Sequence, residues 1–109
     1  MNIGNFIQDM PKVELHVHLE GSISPETLLK LATINNIALP VNTLEELRKW
    51  YQFSDFDHFL DIYFAICDCI CTPGDFELIT SEFLQGQAEQ NIKYSEVIFT
   101  PFTHQEHVA

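Results

Sequence analysis

Two histidines, His16 and His18, are the residues whose type and spacing best suit them to chemistry. From Val13 to Glu20 the sequence alternates: Val13, Leu15, Val17 and Leu19 fall on one side, and Glu14, His16, His18 and Glu20 on the other. That two-residue period is the period of a β-strand, which turns both imidazoles to one face with roughly 6.5 to 7 Å between their α-carbons. Neutral imidazole is a good zinc ligand, so two rings converging from one strand can fill two coordination positions. An HxH triplet by itself is a weak signal, since many surface strands carry one. Its setting adds weight. The pair lies near the carboxyl end of an expected first strand, where barrel enzymes place their chemistry, and Glu20-Gly21 follows directly. Glycine at that exit permits a sharp turn and the close approach of a ligand.

Positioning this strand requires other elements. Pro11 and Gly21 mark its ends. Ser24 is a candidate N-cap, Pro25 suits a first helical position, and Leu28, Leu31 and Ala32 form a helical stripe that Asn35, Asn36 and Pro40 stop. Thr43 and Glu46 have capping-box spacing, which predicts a short helix from Leu44 to Tyr51. From Asp57 to Cys71, with Phe56 just before, helical spacing links Phe56, Phe59, Leu60, Tyr63, Phe64, Cys67 and Ile70. Such a stripe is either core or the apolar wall of a ligand pocket, and the spacing leaves both open. Thr72, Pro73 and Asp75 start another helix with Phe76, Ile79, Phe83 and Gln87 on one face, expected to fray near Asn91. Tyr94 to Phe99 reads as a second strand closed by Pro101.

The order strand, helices, strand predicts an α/β protein with two parallel strands, the helices returning the chain across the sheet. Two parallel strands with both edges bare make no stable sheet, and a (β/α) barrel takes roughly 250 residues. The 109 residues are therefore expected to form the amino-terminal portion of a TIM-type (β/α)8 barrel: its first two parallel strands with the intervening helices.

Composition limits the partners. An apolar content of 46% supports a globular core, while 16 Asp and Glu against 5 Lys and Arg give a net charge of −11. Nucleic acid and anionic membranes need clustered positive charge, and only Arg48 and Lys49 are adjacent here. Met1 to Met10 carries Asp9 and no basic start, so no secretory signal is expected. The most apolar stretch, Ile62 to Ile70, is interrupted by Asp68 and falls short of a membrane span. Cys67, Cys69 and Cys71 offer no CxxC pair. Reduced core thiols in a cytoplasmic protein account for them better than a disulfide or a metal cluster does.

The stretch Pro11-Lys12-Val13-Glu14-Leu15-His16-Val17-His18-Leu19-Glu20-Gly21-Ser22-Ile23 resembles the opening strand of the adenosine deaminase family within the metal-dependent amidohydrolases. The resemblance continues through Ser24-Pro25-Glu26-Thr27-Leu28, Phe56-Asp57-His58-Phe59-Leu60 and Thr72-Pro73-Gly74-Asp75-Phe76. It extends to Glu82-Phe83, Gln87-Ala88-Glu89-Gln90-Asn91 and the block from Tyr94 to Pro101. It covers Pro11 to His104 and implies that residues 1–109 are the incomplete amino-terminal part of such a domain. It implies one zinc ion, with His16 and His18 as its first two ligands and His18 also bordering the substrate. Glu20 matches an acidic residue that contacts ribose, and Gly21 matches the glycine at the strand exit. Phe59, Leu60 and Tyr63 match the part of the family that covers the purine.

The implied activity is zinc-dependent hydrolytic deamination of adenosine or a related 6-aminopurine, releasing ammonia. The partner is a small purine nucleoside or base, without nucleic acid or membrane. A third histidine and an aspartate for the metal, a glutamate for the ring nitrogen, and a further histidine and aspartate near the water have no match here. Zinc's remaining ligands are thus missing from the chain, and its 109 residues alone are expected to be inactive. Glu20 stands where strict adenosine deaminases have aspartate, a form similar to relatives acting on adenine or on aminofutalosine-type nucleosides. Adenosine is placed first, with those as alternatives. Two further alternatives are a non-catalytic acidic interaction module and a different metal hydrolase sharing the HxH strand. A solvated or capping role is expected for His58, and none is assigned to His104 or His107, read as a polar tail.

Overall fold

A computed structural model describes residues 2–106, so His107 lies outside the described residues. A short helix α1 (Ile3–Asp9) leads into strand β1 (Lys12–His18) and a 3₁₀ turn (Glu20–Ser22). Helices α2 (Pro25–Ile34), α3 (Leu44–Trp50), α4 (Phe56–Asp68) and α5 (Pro73–Glu89) follow. Strand β2 (Ile92–Ile98) and a second 3₁₀ turn (Pro101–His104) complete the described chain. The strands pair in parallel in a two-stranded sheet, an unclosed arrangement consistent with part of a (β/α)8 barrel.

The helices begin where their side chains can satisfy free backbone N–H groups. Ser24 accepts from Thr27 N–H ahead of Pro25, and Thr43 with Glu46 and Thr72 with Asp75 make full capping boxes. Asp75 goes further. Its Oδ2 accepts from the N–H groups of Cys71 (2.9 Å) and Thr72 (3.0 Å) and from the Asn35 amide (2.8 Å), which ties the end of α2 to the start of α5. Asn36 and Asn91, just beyond α2 and α5, both take φ of 56°, a left-handed conformation that asparagine tolerates better than most residues.

The core lies among the helices. Leu28 and Leu31 of α2, Leu47 of α3, Ile62 and Ile66 of α4 with Cys69 and Ile70 just after it, and Ile79 of α5 pack into one cluster with Leu19 and Ile23. The sheet is different: Val13 is 62% and Leu15 60% exposed, and Tyr94 and Val97 are exposed too.

Four expectations change. Helix α1, with no counterpart in the periodicity reading, is capped by Asn2, whose side chain accepts from the Gly4 and Asn5 N–H groups. The alternation of β1 is not continuous. Glu14 pairs with Ser95 and Val17 with Val97, which leaves one extra residue on β1, and Leu15 and His16 are both exposed. The bulge separates Glu14 from the histidines. Glu14 Oε2 accepts from the buried Gln87 amide of α5 at 2.9 Å, and Gln87 in turn bonds Ser95 of β2. The stripe read across α4 also divides: Cys67 and Ile70 are buried, together with Ile62 and Ile66 outside the stripe, whereas Phe56, Phe59 and Phe64 are exposed. Finally, His104 does not sit in a polar tail but is buried within the second 3₁₀ turn.

Candidate active site

His16 and His18 stay on the same side of β1 past the bulge, with ring centroids 5.2 Å apart and planes at 68°. Both are exposed, as rings must be if they are to meet a ligand. The β1 backbone holds them beside the start of α4, and Tyr63 of that helix stands edge-on to His18 at 6.2 Å between centroids. His16, His18, Gly21, Phe56, Phe59, Leu60, Tyr63 and Thr100 line one open cleft of about 960 Å³. Its aromatic wall is self-packed: Phe59 meets Phe53 edge-on at 5.1 Å and stacks on Phe56 at 6.1 Å. Phe59, 42% exposed, is therefore wall rather than core.

Gly21 has no left-handed backbone, so the turn after β1 does not require glycine for its conformation. The chain leaves β1 directly into the 3₁₀ turn, and what glycine provides there is space. A Cβ at this position would lie 3.7 Å from the His18 Cβ and 4.0 Å from Tyr63 Cδ2, in ordinary contact with two walls of the cleft.

Glu20 is fully buried behind this surface. Its Oε1 accepts from the Thr100 N–H (3.2 Å), the Thr100 hydroxyl (3.1 Å) and His104 Nε2 (3.0 Å). Burial alone would raise its pKa, but the bonds from His104 and Thr100 outweigh that and hold the carboxyl below its ordinary value. Glu20 Oε2 and His104 Nδ1 are buried without a partner. The His104 ring is flanked by Phe99, stacked at 5.8 Å, and by Phe76, edge-on at 5.0 Å. Thr100 also hydrogen-bonds the Tyr63 hydroxyl at 3.2 Å, so the ends of β1 and β2 and the wall helix α4 are joined through one threonine. Burial raises the Tyr63 phenol above its ordinary pKa, which keeps its proton in place at neutral pH.

The sequence-read positions thus divide in two. His16, His18, Gly21, Phe59, Leu60 and Tyr63 come together around the cleft, and Glu20 lies behind it. Sequence spacing does not single out Thr100 and His104 as site residues, because they meet Glu20 only across eighty and eighty-four positions. His58 has a local role: its Nδ1 accepts from Ser54 N–H at 3.2 Å, at the start of α4.

Two imidazoles side by side suit zinc in ligand type, but zinc sites use three or more protein ligands. Among the described residues no group of three or more His, Cys, Asp or Glu is arranged to hold a metal. The cysteines do not supplement the pair. All are free, and burial pushes the Cys67 and Cys69 thiols up to about 12 and about 11, which makes them poor thiolates at neutral pH. No helix among the described residues is long and apolar enough to cross a membrane.

Comparison with known proteins bears on the same surface. The family model for adenosine deaminase matches residues 11–107. An adenine deaminase of Vibrio parahaemolyticus is 45% identical over 101 residues, covering 93% of this chain and 30% of the relative. The crystal structure of an adenine deaminase from Arthrobacter aurescens superposes with a TM-score of 0.81 at 38% identity, covering 91% of this chain and 31% of that one. An Arabidopsis ADAL structure complexed with GMP, a purine nucleotide, gives a TM-score of 0.71 at 27% identity, covering 89% of this chain and 29% of its own. The chain spans about 30% of the length of the relatives it matches. It belongs to the adenosine deaminase family of amidohydrolases.

Proposed function

We propose that this member of the adenosine deaminase family is the amino-terminal part, residues 1–109, of a zinc-dependent deaminase acting on a free 6-aminopurine base, adenine, in the cytoplasm. The observation that carries the reading is the His16–His18 pair, rings 5.2 Å apart, facing an aromatic cleft in a family member. Likeness to proteins described as adenine deaminases favours adenine over adenosine, the substrate placed first from sequence. Glu20 agrees with that preference, because a free base brings no ribose to hold and the carboxylate is already engaged by Thr100 and His104. The free thiols suit a reducing compartment.

In this reading His16 and His18 supply two imidazole nitrogens to one zinc ion, and the other ligands come from outside the described residues. The bound metal supplies Lewis acidity, which makes a water reactive near neutral pH. The chain's own residues bind and shield. Phe59, Leu60 and Tyr63 offer the purine an apolar, aromatic face and exclude bulk water, and the small Gly21 leaves room beside His18. The net change is replacement of the purine's amino group by oxygen from water, with ammonia leaving.

The test is ammonia release by the full-length zinc-loaded protein from adenine, adenosine and an aminofutalosine-type nucleoside. The expected order places adenine first, and a preference for either nucleoside overturns the substrate assignment. The 109-residue chain alone should release no ammonia above a His16→Ala control.

A further inference from the structure

Tyr63 has one hydroxyl proton, and the bonds around Thr100 determine where it points. Glu20 Oε1 receives the Thr100 backbone N–H at 3.2 Å, a group that can only donate. It also receives His104 Nε2 at 3.0 Å. An oxygen facing those donors takes the Thr100 hydroxyl, at 3.1 Å, as a third. A threonine hydroxyl carries a single proton, so Thr100 Oγ1 has only lone pairs left for Tyr63. At 3.2 Å, Tyr63 must therefore donate to Thr100. Beyond its side-chain hydrogen bond with the buried Cys67 thiol, what remains on the Tyr63 oxygen is acceptor capacity, on a residue that lines the same cleft as the two histidines.

A ligand that bonds this oxygen must bring a donor. The exocyclic amino group of an aminopurine is common to base and nucleoside and cannot tell them apart. The N–H of the five-membered ring can: a free base has it, and a nucleoside has a sugar in its place. We infer that Tyr63 is a specificity-determining residue whose acceptor-only hydroxyl takes the ring N–H of a free purine base and so favours base over nucleoside. This rests on the deaminase reading above and adds the feature of the substrate that the site selects.

The probe is 9-methyladenine, which keeps the ring and the amino group of adenine but lacks the ring N–H. The KM for ammonia release from adenine and from 9-methyladenine, taken as the measure of binding, is determined on the full-length protein, as wild type and as Tyr63→Phe, Thr100→Ser and Thr100→Val. Wild type should bind adenine about tenfold more tightly, the value of one well-made hydrogen bond. Tyr63→Phe should bring the ratio close to one, Thr100→Ser should keep it, and Thr100→Val should reduce it. A purely structural role for Tyr63 would move both ligands together. A wild-type ratio near one, or a ratio that Tyr63→Phe leaves unchanged, overturns the inference. Ammonia release in the same samples separates the two levels. Deamination of adenine with no binding preference removes only the Tyr63 assignment, whereas failure to deaminate adenine or adenosine removes the deaminase reading and this inference with it.

Discussion

Among the described residues, the helical layer and the strand pair differ in how much of their apolar surface they bury. In the helices, Leu28, Leu31 and Leu47 are completely buried, and α2 through α5 each start on a side-chain cap. In the strands, Val13 and Leu15 stand more than half exposed, and each strand has one neighbour in the described sheet. Yet the chemistry-bearing histidines lie on the strand side. Packing and the candidate site occupy different parts of the same chain: the helices supply the packing, and the strands carry the histidine pair. The two are linked through Tyr63, Thr100, Glu20 and His104 at one end and through Glu14, Gln87 and Ser95 at the other.

The largest effect should come from the helical core. Leu31→Ala empties a fully buried position and should cost roughly 2 to 5 kcal/mol in urea unfolding. A loss below about 1 kcal/mol would mean that the helical layer is not the stable partner.

Asp75 tests the same layer through its polar latch. Burial would raise its pKa, but the bonds from Cys71 N–H, Asn35 and Thr72 N–H outweigh burial and leave the carboxyl below its ordinary value. A depressed folded-state pKa contributes stability that is present above the unfolded value, near 3.9, and lost as pH falls through the folded value. Asp75→Asn should therefore destabilise the chain at pH 7 by about 1 to 3 kcal/mol and flatten the stability profile below about pH 4. Unfolding curves across pH 2 to 7 check both parts, and an unchanged acid profile would remove Asp75 as the latch.

Smaller again is Thr43→Ala, which removes the hydroxyl that accepts Glu46 N–H at 3.2 Å and should cost about 1 kcal/mol. At the bottom of the scale, Leu15→Ala should change stability by less than about 0.5 kcal/mol, because the side chain is 60% exposed. A cost for Leu15→Ala equal to that of Leu31→Ala would erase the contrast between the two regions.

Local features were legible in the sequence and non-local ones were not. Ser24, Thr43 and Thr72 announced their helices, since a cap involves residues within one turn. His16 and His18 were legible for the same reason, their spacing being a property of one strand. The bulge in β1 was not, because an extra residue exists only relative to β2, some eighty positions later. The apolar stripe from Phe56 to Ile70 could not be divided into core and cleft wall by spacing, as Phe59 and Ile70 are both strongly apolar and differ in what they face. His104 looked polar by its neighbours and is buried by its partner, Glu20.

The parallel pairing of β1 with β2 also has a cost in time. Residues 12–18 leave the ribosome well before residues 92–98, and at usual synthesis rates the interval is on the order of ten seconds. During that interval the histidine strand has no β2 partner, while α2, α3 and α4 can already form from contacts close in sequence. Joining the strands must also close a long loop, whose entropy opposes contact until α5 has brought the ends together. The Glu20–Thr100 bond, spanning eighty residues, can therefore form only after the intervening helices have been made, so this side of the cleft is assembled after the local helices rather than before them.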